Sequence, residues 1–160
     1  MLEFSIAKQD LLPVLIGLTG VVDKKQSLPV LSHILCNIQD GSIRMYATDL
    51  ELEMTSNIAC QSNTTGKLTI PAKKLLDIVR ALDDNATVKF SQSEQYLSVK
   101  GGRSRFRLMM LSPHDFPEAT QSDAKIRLTI SREALYGLLQ SSYFALSQQD
   151  VRLYLNGMLF

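Results

Sequence analysis

A chain of 160 residues, 45% hydrophobic and 21% charged, holds enough apolar material for one domain with a real core plus a remainder, which excludes general disorder. Its formal net charge of +1 excludes a simple basic nucleic-acid binder, so any positive surface has to come from how the charges are distributed. There is no apolar run of membrane-spanning length and no basic-then-apolar leader in residues 1–5. The two cysteines, Cys36 and Cys60, make neither a disulfide framework nor a metal cluster, so a reducing cytoplasm is the expected setting.

Residues 4–15, FSIAKQDLLPVL, open with the period-two pattern of a short strand and then switch to helical spacing. Ala7 is a poor cap, and proline in a helix interior costs about 3 kcal/mol, so Pro13 predicts a kink or a shifted start. Lys24 and Lys25 follow in a loop. Asp40-Gly41 separates two apolar runs, residues 34–38 and 42–46, and predicts a tight hairpin. Residues 50–54 alternate Leu-Glu-Leu-Glu-Met, which reads as a half-buried strand with its acids outward.

The opening pattern returns at residues 68–79, LTIPAKKLLDIV, shifted by 64 without a gap. Here Leu75, Leu76, Ile78, Val79 and Leu82 make a broad apolar helix face, and Lys73, Asp77 and Arg80 take the opposite side, with Lys74 beside them. Pro71 sits where a helix start tolerates proline. Residues 87–90, 96–99 and 106–109 predict three further strands, interrupted by Gly101-Gly102, with Arg103, Arg105 and Arg107 alternating on the last. Residues 113–124, with two prolines and several polar side chains, read as an inter-domain linker. The pattern comes back a third time at 128–139, LTISREALYGLL, shifted by 124, with Ser131 as N-cap. At the same shift, residues 31–35 match 155–159. Residues 1–123 are therefore expected to form one complete unit of strand–helix–strands, twice. Residues 124–160 begin a second unit that stops within a strand at 158–160, as a portion of a longer chain would.

Catalytic and metal chemistry find little support. His33 and His114 have no ligand-spaced companion. Gly101-Gly102-Arg103-Ser104 is too short for a phosphate loop and reads as a turn. Asp49, Glu51 and Glu53 fit a solvated strand face better than a metal site. Ser32 and His33, as adjacent strand residues, are expected to point to opposite faces and to form no nucleophile pair.

Several stretches carry a resemblance: Ser27-Leu28-Pro29-Val30-Leu31, Ala47-Thr48-Asp49-Leu50-Glu51, Ile70-Pro71-Ala72-Lys73-Lys74, Gly102-Arg103-Ser104-Arg105-Phe106, and the run QDVRLYLNGML at 149–159. Together they resemble the bacterial DNA polymerase III β subunits, the sliding clamps, over that family's first domain and the opening of its second. The resemblance implies an α+β DNA-clamp fold of repeated β-α-β-β-β units, two in the first domain at about 1–64 and 65–123. Helices would line the inner face of a homodimeric ring and antiparallel sheets its outer face. It implies a non-catalytic processivity factor without cofactor or metal, whose partners are duplex DNA and, through short peptide motifs, the replicative polymerase and the clamp loader, with no membrane.

Residue by residue, the resemblance places Lys25, Lys73, Gln149, Arg152, Leu153 and Tyr154 at DNA. Lys25 stands where arginine is frequent, and Leu153 departs from the family's tyrosine. Lys74, Ile78, Arg103, Arg105, Phe106 and Leu108 would meet the other subunit. Leu155 would begin a peptide pocket completed beyond Phe160. A β-rich adaptor that binds only protein through the edge strand near Phe106 is the alternative, and a hydrolase with an unrecognised site is a more distant one.

Overall fold

The expected switch from strand to helix occurs at once in the computed structural model, which describes residues 2–22, 28–117, 127–147 and 150–159. Strand β1 (Glu3–Ala7) runs directly into helix α1 (Lys8–Val21). Ala7 supplies no side-chain cap. Instead the Lys8 amide donates to the Ala86 carbonyl at 2.9 Å, so another element satisfies one of the helix's free first-turn donors. The shifted start does not occur, and the helix continues through Pro13. Leu11, Leu15, Leu18 and Val21 are buried on one face. Pro13 and Gln9, between which the missing hydrogen bond falls, are both on the exposed side.

Strands β2 (His33–Gln39) and β3 (Ser42–Thr48) form the predicted hairpin. Asp40 and Gly41 take φ values of 48° and 73°, the doubly left-handed turn whose twist matches that of paired strands. The strand expected from residue 50 begins only at Glu53, as β4 (Glu53–Ala59). Before it, Asp49 Oδ1 accepts from the amides of Glu51 (2.9 Å) and Leu52 (2.6 Å), and Thr48 Oγ1 accepts from that of Leu50 (2.9 Å). These side chains occupy amides that a ladder would need, and Leu50 turns to φ 79°. Leu50 and Leu52 are consequently exposed rather than half-buried.

The second repeat follows the same order: β5 (Gln61–Ser62) as a short addition, then β6 (Gly66–Pro71), α2 (Ala72–Ala81), β7 (Thr87–Ser93), β8 (Tyr96–Gly101) and β9 (Ser104–Met109). All the strand pairs are antiparallel, in two sheets of order β5-β1-β7-β8-β9 and β4-β3-β2-β6. Each repeat therefore lends its first strand to the sheet of the other. The two exchanges share one register. Phe4 faces Phe90 and Ile6 faces Val88 in one sheet; Leu68 faces Cys36 and Ile70 faces Ile34 in the other. The rings of Phe4 and Phe90 stack with centroids 4.5 Å apart.

Helices α1 and α2 pack on each other and on the sheets around one core to which both repeats contribute. Thr69, fully buried, donates to the Leu111 carbonyl (2.7 Å) and accepts from its amide (2.9 Å), which ties β6 to the chain after β9. That chain is not yet linker. Pro113–Asp115 forms a 3-10 turn, and Phe116 is buried edge-on against Tyr46, beside Val30 and Leu31. Burial of one aromatic ring overrides a polar, proline-containing composition. Residues 118–124, the rest of the expected linker, lie outside the described residues.

Residues 1–119 and 120–160 are two compact units. In the second, Ser131 caps α3 (Arg132–Tyr143) as predicted, accepting from the Ala134 amide at 3.2 Å. The strands expected at 128–130 and 158–160 do not form among the described residues: Leu128 and Leu159 are exposed, and residues 153–156 form a 3-10 turn. A helix satisfies its own backbone, but a strand needs a neighbour, and the described residues of this unit supply none.

Candidate nucleic-acid and subunit interfaces

The apolar face of α2 sinks Ala72, Leu75, Leu76 and Val79 into the core, which turns Lys73, Lys74, Asp77 and Arg80 to solvent; Ile78 is half-buried at the rim. None of these three cations has an ion pair among the described residues. The neighbouring α1 adds no cation to this surface. Its outward residues include Gln9, Asp10, Pro13 and Ile16, and its one lysine, Lys8, is buried. The Lys8 ammonium reaches across to the end of α2, 2.5 Å from the Leu82 carbonyl, 3.4 Å from that of Arg80 and 3.0 Å from Asp84 Oδ1. A cation there complements the partial negative charge of a helix C-terminus and fixes α2 against α1. Sequence reading misses Lys8, because a lysine at the start of a helix normally points to water.

Strand β9 lies at the edge of the five-stranded sheet, pairing with β8 on one side only. Arg105 and Arg107 are exposed, whereas Leu108 belongs to the core and Phe106 packs half-buried against it. Arg103 does not share the alternation expected of it. It occupies the turn between β8 and β9, just before the strand begins at Ser104. Between α2 and β9 sits His33, almost fully buried. Burial lowers its pKa below the ordinary value; the carbonyls of Pro29 and Met109 oppose this, and the charge of Lys74 adds to it. Contrary to the opposite-faces expectation, His33 Nδ1 and Ser32 Oγ come within 3.2 Å, because Ser32 lies in the preceding 3-10 turn rather than in the strand. The hydroxyl proton is directed to the Pro29 carbonyl at 2.6 Å, so the contact secures a turn and prepares no nucleophile.

In the second unit, Arg152 clasps Asp150 through Nε and Nη2, both at 3.1 Å, and the Asp150 carboxyl is held below its usual pKa chiefly by that side chain. Asp150 and Asn156 exchange hydrogen bonds of 3.1 Å across the loop. Leu153 opens the turn, Tyr154 stands exposed and Leu155 is half-buried. Arg152 is thus already neutralised by a neighbour. Lys25 and Gln149 lie outside the described residues.

Among the described residues no three of His, Cys, Asp and Glu gather as a metal site, and no helix is long and apolar enough to cross a membrane. Asp49 is engaged by backbone amides, which lower its pKa, and is not directed at a common centre with Glu51 and Glu53.

Two antiparallel sheets that exchange their first strands beneath a pair of helices are an arrangement shared with solved sliding clamps. The fold matches the crystal structure of a sliding clamp, DNA polymerase III subunit beta, from Pseudomonas aeruginosa bound to griselimycin, with a TM-score of 0.92 and 37% identity over 98% of this chain and 43% of that one. It also matches a Caulobacter crescentus pol III beta structure at a TM-score of 0.91 and 34% identity, over 97% of this chain and 42% of the other. The beta sliding clamp of Pseudomonas putida is 38% identical over 159 residues, 99% of this chain and 43% of the relative. The chain belongs to the DNA polymerase III beta subunit family, whose N-terminal domain profile matches residues 2–120. It spans less than half the length of the relatives it matches.

Proposed function

We propose that this chain is the first domain, about residues 1–123, and the opening of the second, from about 124, of a ring-forming processivity clamp that holds a replicative polymerase on duplex DNA and catalyses nothing. The observation that carries the reading is the outward face of α2, where Lys73, Lys74 and Arg80 stand without ion pairs among the described residues on a chain of net charge +1. A clamp has to stay on DNA without gripping a base. A few long cationic side chains facing phosphates give weak, salt-sensitive, sequence-blind attraction, and closure of the ring supplies the lifetime. Lys73 is assigned to DNA with Lys25, Gln149, Leu153 and Tyr154. Arg152 is a weaker participant, since Asp150 already occupies it.

In the full-length homodimer, Lys74, Ile78, Arg103, Arg105 and Phe106 face the other subunit, with Leu108 supporting them from the core. Leu155 contributes to a pocket for short peptide motifs of the polymerase and the loader. Work in the cytoplasm follows from that role. Retention of the full-length protein on nicked circular DNA, before and after the circle is linearised, tests the proposal. A clamp stays on the circle and runs off free ends. Equal retention on both forms refutes it, and indifference to DNA altogether favours a purely protein-binding adaptor.

A further inference from the structure

The side of the five-stranded sheet turned away from the helices carries a row of charge that the duplex reading does not use. Ser5 faces Lys89, Lys89 faces Lys100, and Lys100 faces Arg105. Three cations therefore occupy directly opposed positions on β7, β8 and β9, with neighbouring Cβ atoms about 5 Å apart. All three are exposed, and none has an ion pair among the described residues. The adjacent row differs. There Ser91 Oγ donates to Glu3 Oε1 at 3.1 Å, and Arg107 lies 3.7 Å over the ring of Tyr96. The cation row lines an open groove of about 1010 Å³ whose other walls include Ser5, Gln61 and Ser98.

Like charges directly opposite one another destabilise a sheet. Protection of an open edge explains cations on β9 but not on β7 and β8, which lie inside the sheet. Nor does the core require them, because Val88, Phe90, Val99 and Leu97 are the residues of these strands that point inward. Stability given up at adjacent positions marks a surface with another use.

We propose that this face binds an acidic, extended segment of a partner protein, its carboxylates meeting Lys89 and Lys100, inward of the Arg105 given to the subunit edge, and its backbone meeting the serine and glutamine side chains of the groove. Charge complementarity selects the acid. An extended segment places alternate side chains roughly 6.6–6.8 Å apart, within reach of flexible lysines on neighbouring strands. A duplex is the poorer occupant, because the cations of α2 assigned to it lie on the other side of the sheet. The inference rests on the clamp reading only for that last exclusion.

The test uses the 160-residue chain, a fluorescein-labelled peptide of alternating glutamate and serine, and a labelled duplex. The Lys89→Gln/Lys100→Gln double variant is expected to weaken peptide binding about tenfold while leaving duplex binding unchanged. The same variant is expected to melt higher than the parent at low salt, and equally at high salt, as relief of screened repulsion requires. Peptide binding untouched by the double variant overturns the proposal. So does an equal loss of duplex binding, which would give the face to nucleic acid, and so does the lack of any low-salt rise in melting temperature. Peptide binding by the chain together with equal retention of the full-length protein on circular and linearised DNA sinks the clamp reading and leaves this surface standing.

Discussion

Replacing Lys8 with methionine probes how α2, the helix that presents the exposed cations, is held in place. The substitution keeps an unbranched stem of similar length in the same apolar surroundings and removes only the ammonium. What is lost is read from three contacts: the Leu82 carbonyl at 2.5 Å, the Arg80 carbonyl at 3.4 Å and Asp84 Oδ1 at 3.0 Å. The Asp84 side chain is 98% exposed, so that ion pair contributes little. The Leu82 contact is buried, and a hydrogen bond from a charged donor to a buried carbonyl is worth about 1.5–3 kcal/mol. Burial of the ammonium offsets part of this, which leaves a loss of about 2 kcal/mol. At roughly 4 °C per kcal/mol for a unit of this size, Lys8→Met should melt about 8 °C below the parent by far-ultraviolet circular dichroism. Asp84→Asn should barely move the transition. If Lys8→Met melts with the parent, or Asp84→Asn costs as much, the buried carbonyl contact is not what fixes α2.

On the proposed DNA face, Lys73→Ala should weaken duplex binding uniformly across sequences and reduce the slope of log affinity against log salt by about 1, read from fluorescence anisotropy titrations. Phe4→Ala removes a buried ring stacked on Phe90 at the strand that joins the two repeats, and should cost about 3–5 kcal/mol in urea unfolding. His33 is neutral in its buried site with a pKa below 6.5, so the unfolded chain binds the proton first as pH falls. Stability held above about pH 6.5 is therefore lost on acidification towards the folded pKa, and His33→Gln should flatten that part of a melting-temperature profile. Ser131→Ala should cost α3 about 1 kcal/mol, visible as faster amide exchange in its first turns.

Features governed by nearest neighbours were legible in the sequence. The repeat shows itself because hydrophobic period changes from two to 3.6 at the same point in each copy, and the Asp40-Gly41 turn because few residue pairs tolerate its dihedrals. The residues expected at the subunit edge fall on α2 and on or beside β9, yet whether an apolar strand position is rim or core depends on what covers it, and Leu108 is core. The alternation at 50–54 misled because Asp49 takes up the amides a strand would use. The apolar stretch at 128–130 misled because a strand needs a neighbour and the described residues of its unit supply none. Exchange of β1 and β6 between sheets depends on pairing across the whole unit, which periodicity does not encode. The row of Lys89, Lys100 and Arg105 was within reach, since the turns after Ser93 and Gly101 fix which residues oppose one another.

The traded strands bear on how such a unit is divided or built. A solitary half of this length would have a three-stranded sheet with a vacancy beside β2 or β7 and a leading strand with nowhere of its own to lie. Two identical halves would fill both gaps by lending each other that strand, so a homodimer of single modules would reproduce the geometry that here occupies one polypeptide. Severing the chain near residue 64 should accordingly yield pieces that are each incomplete but that recover the native arrangement when mixed.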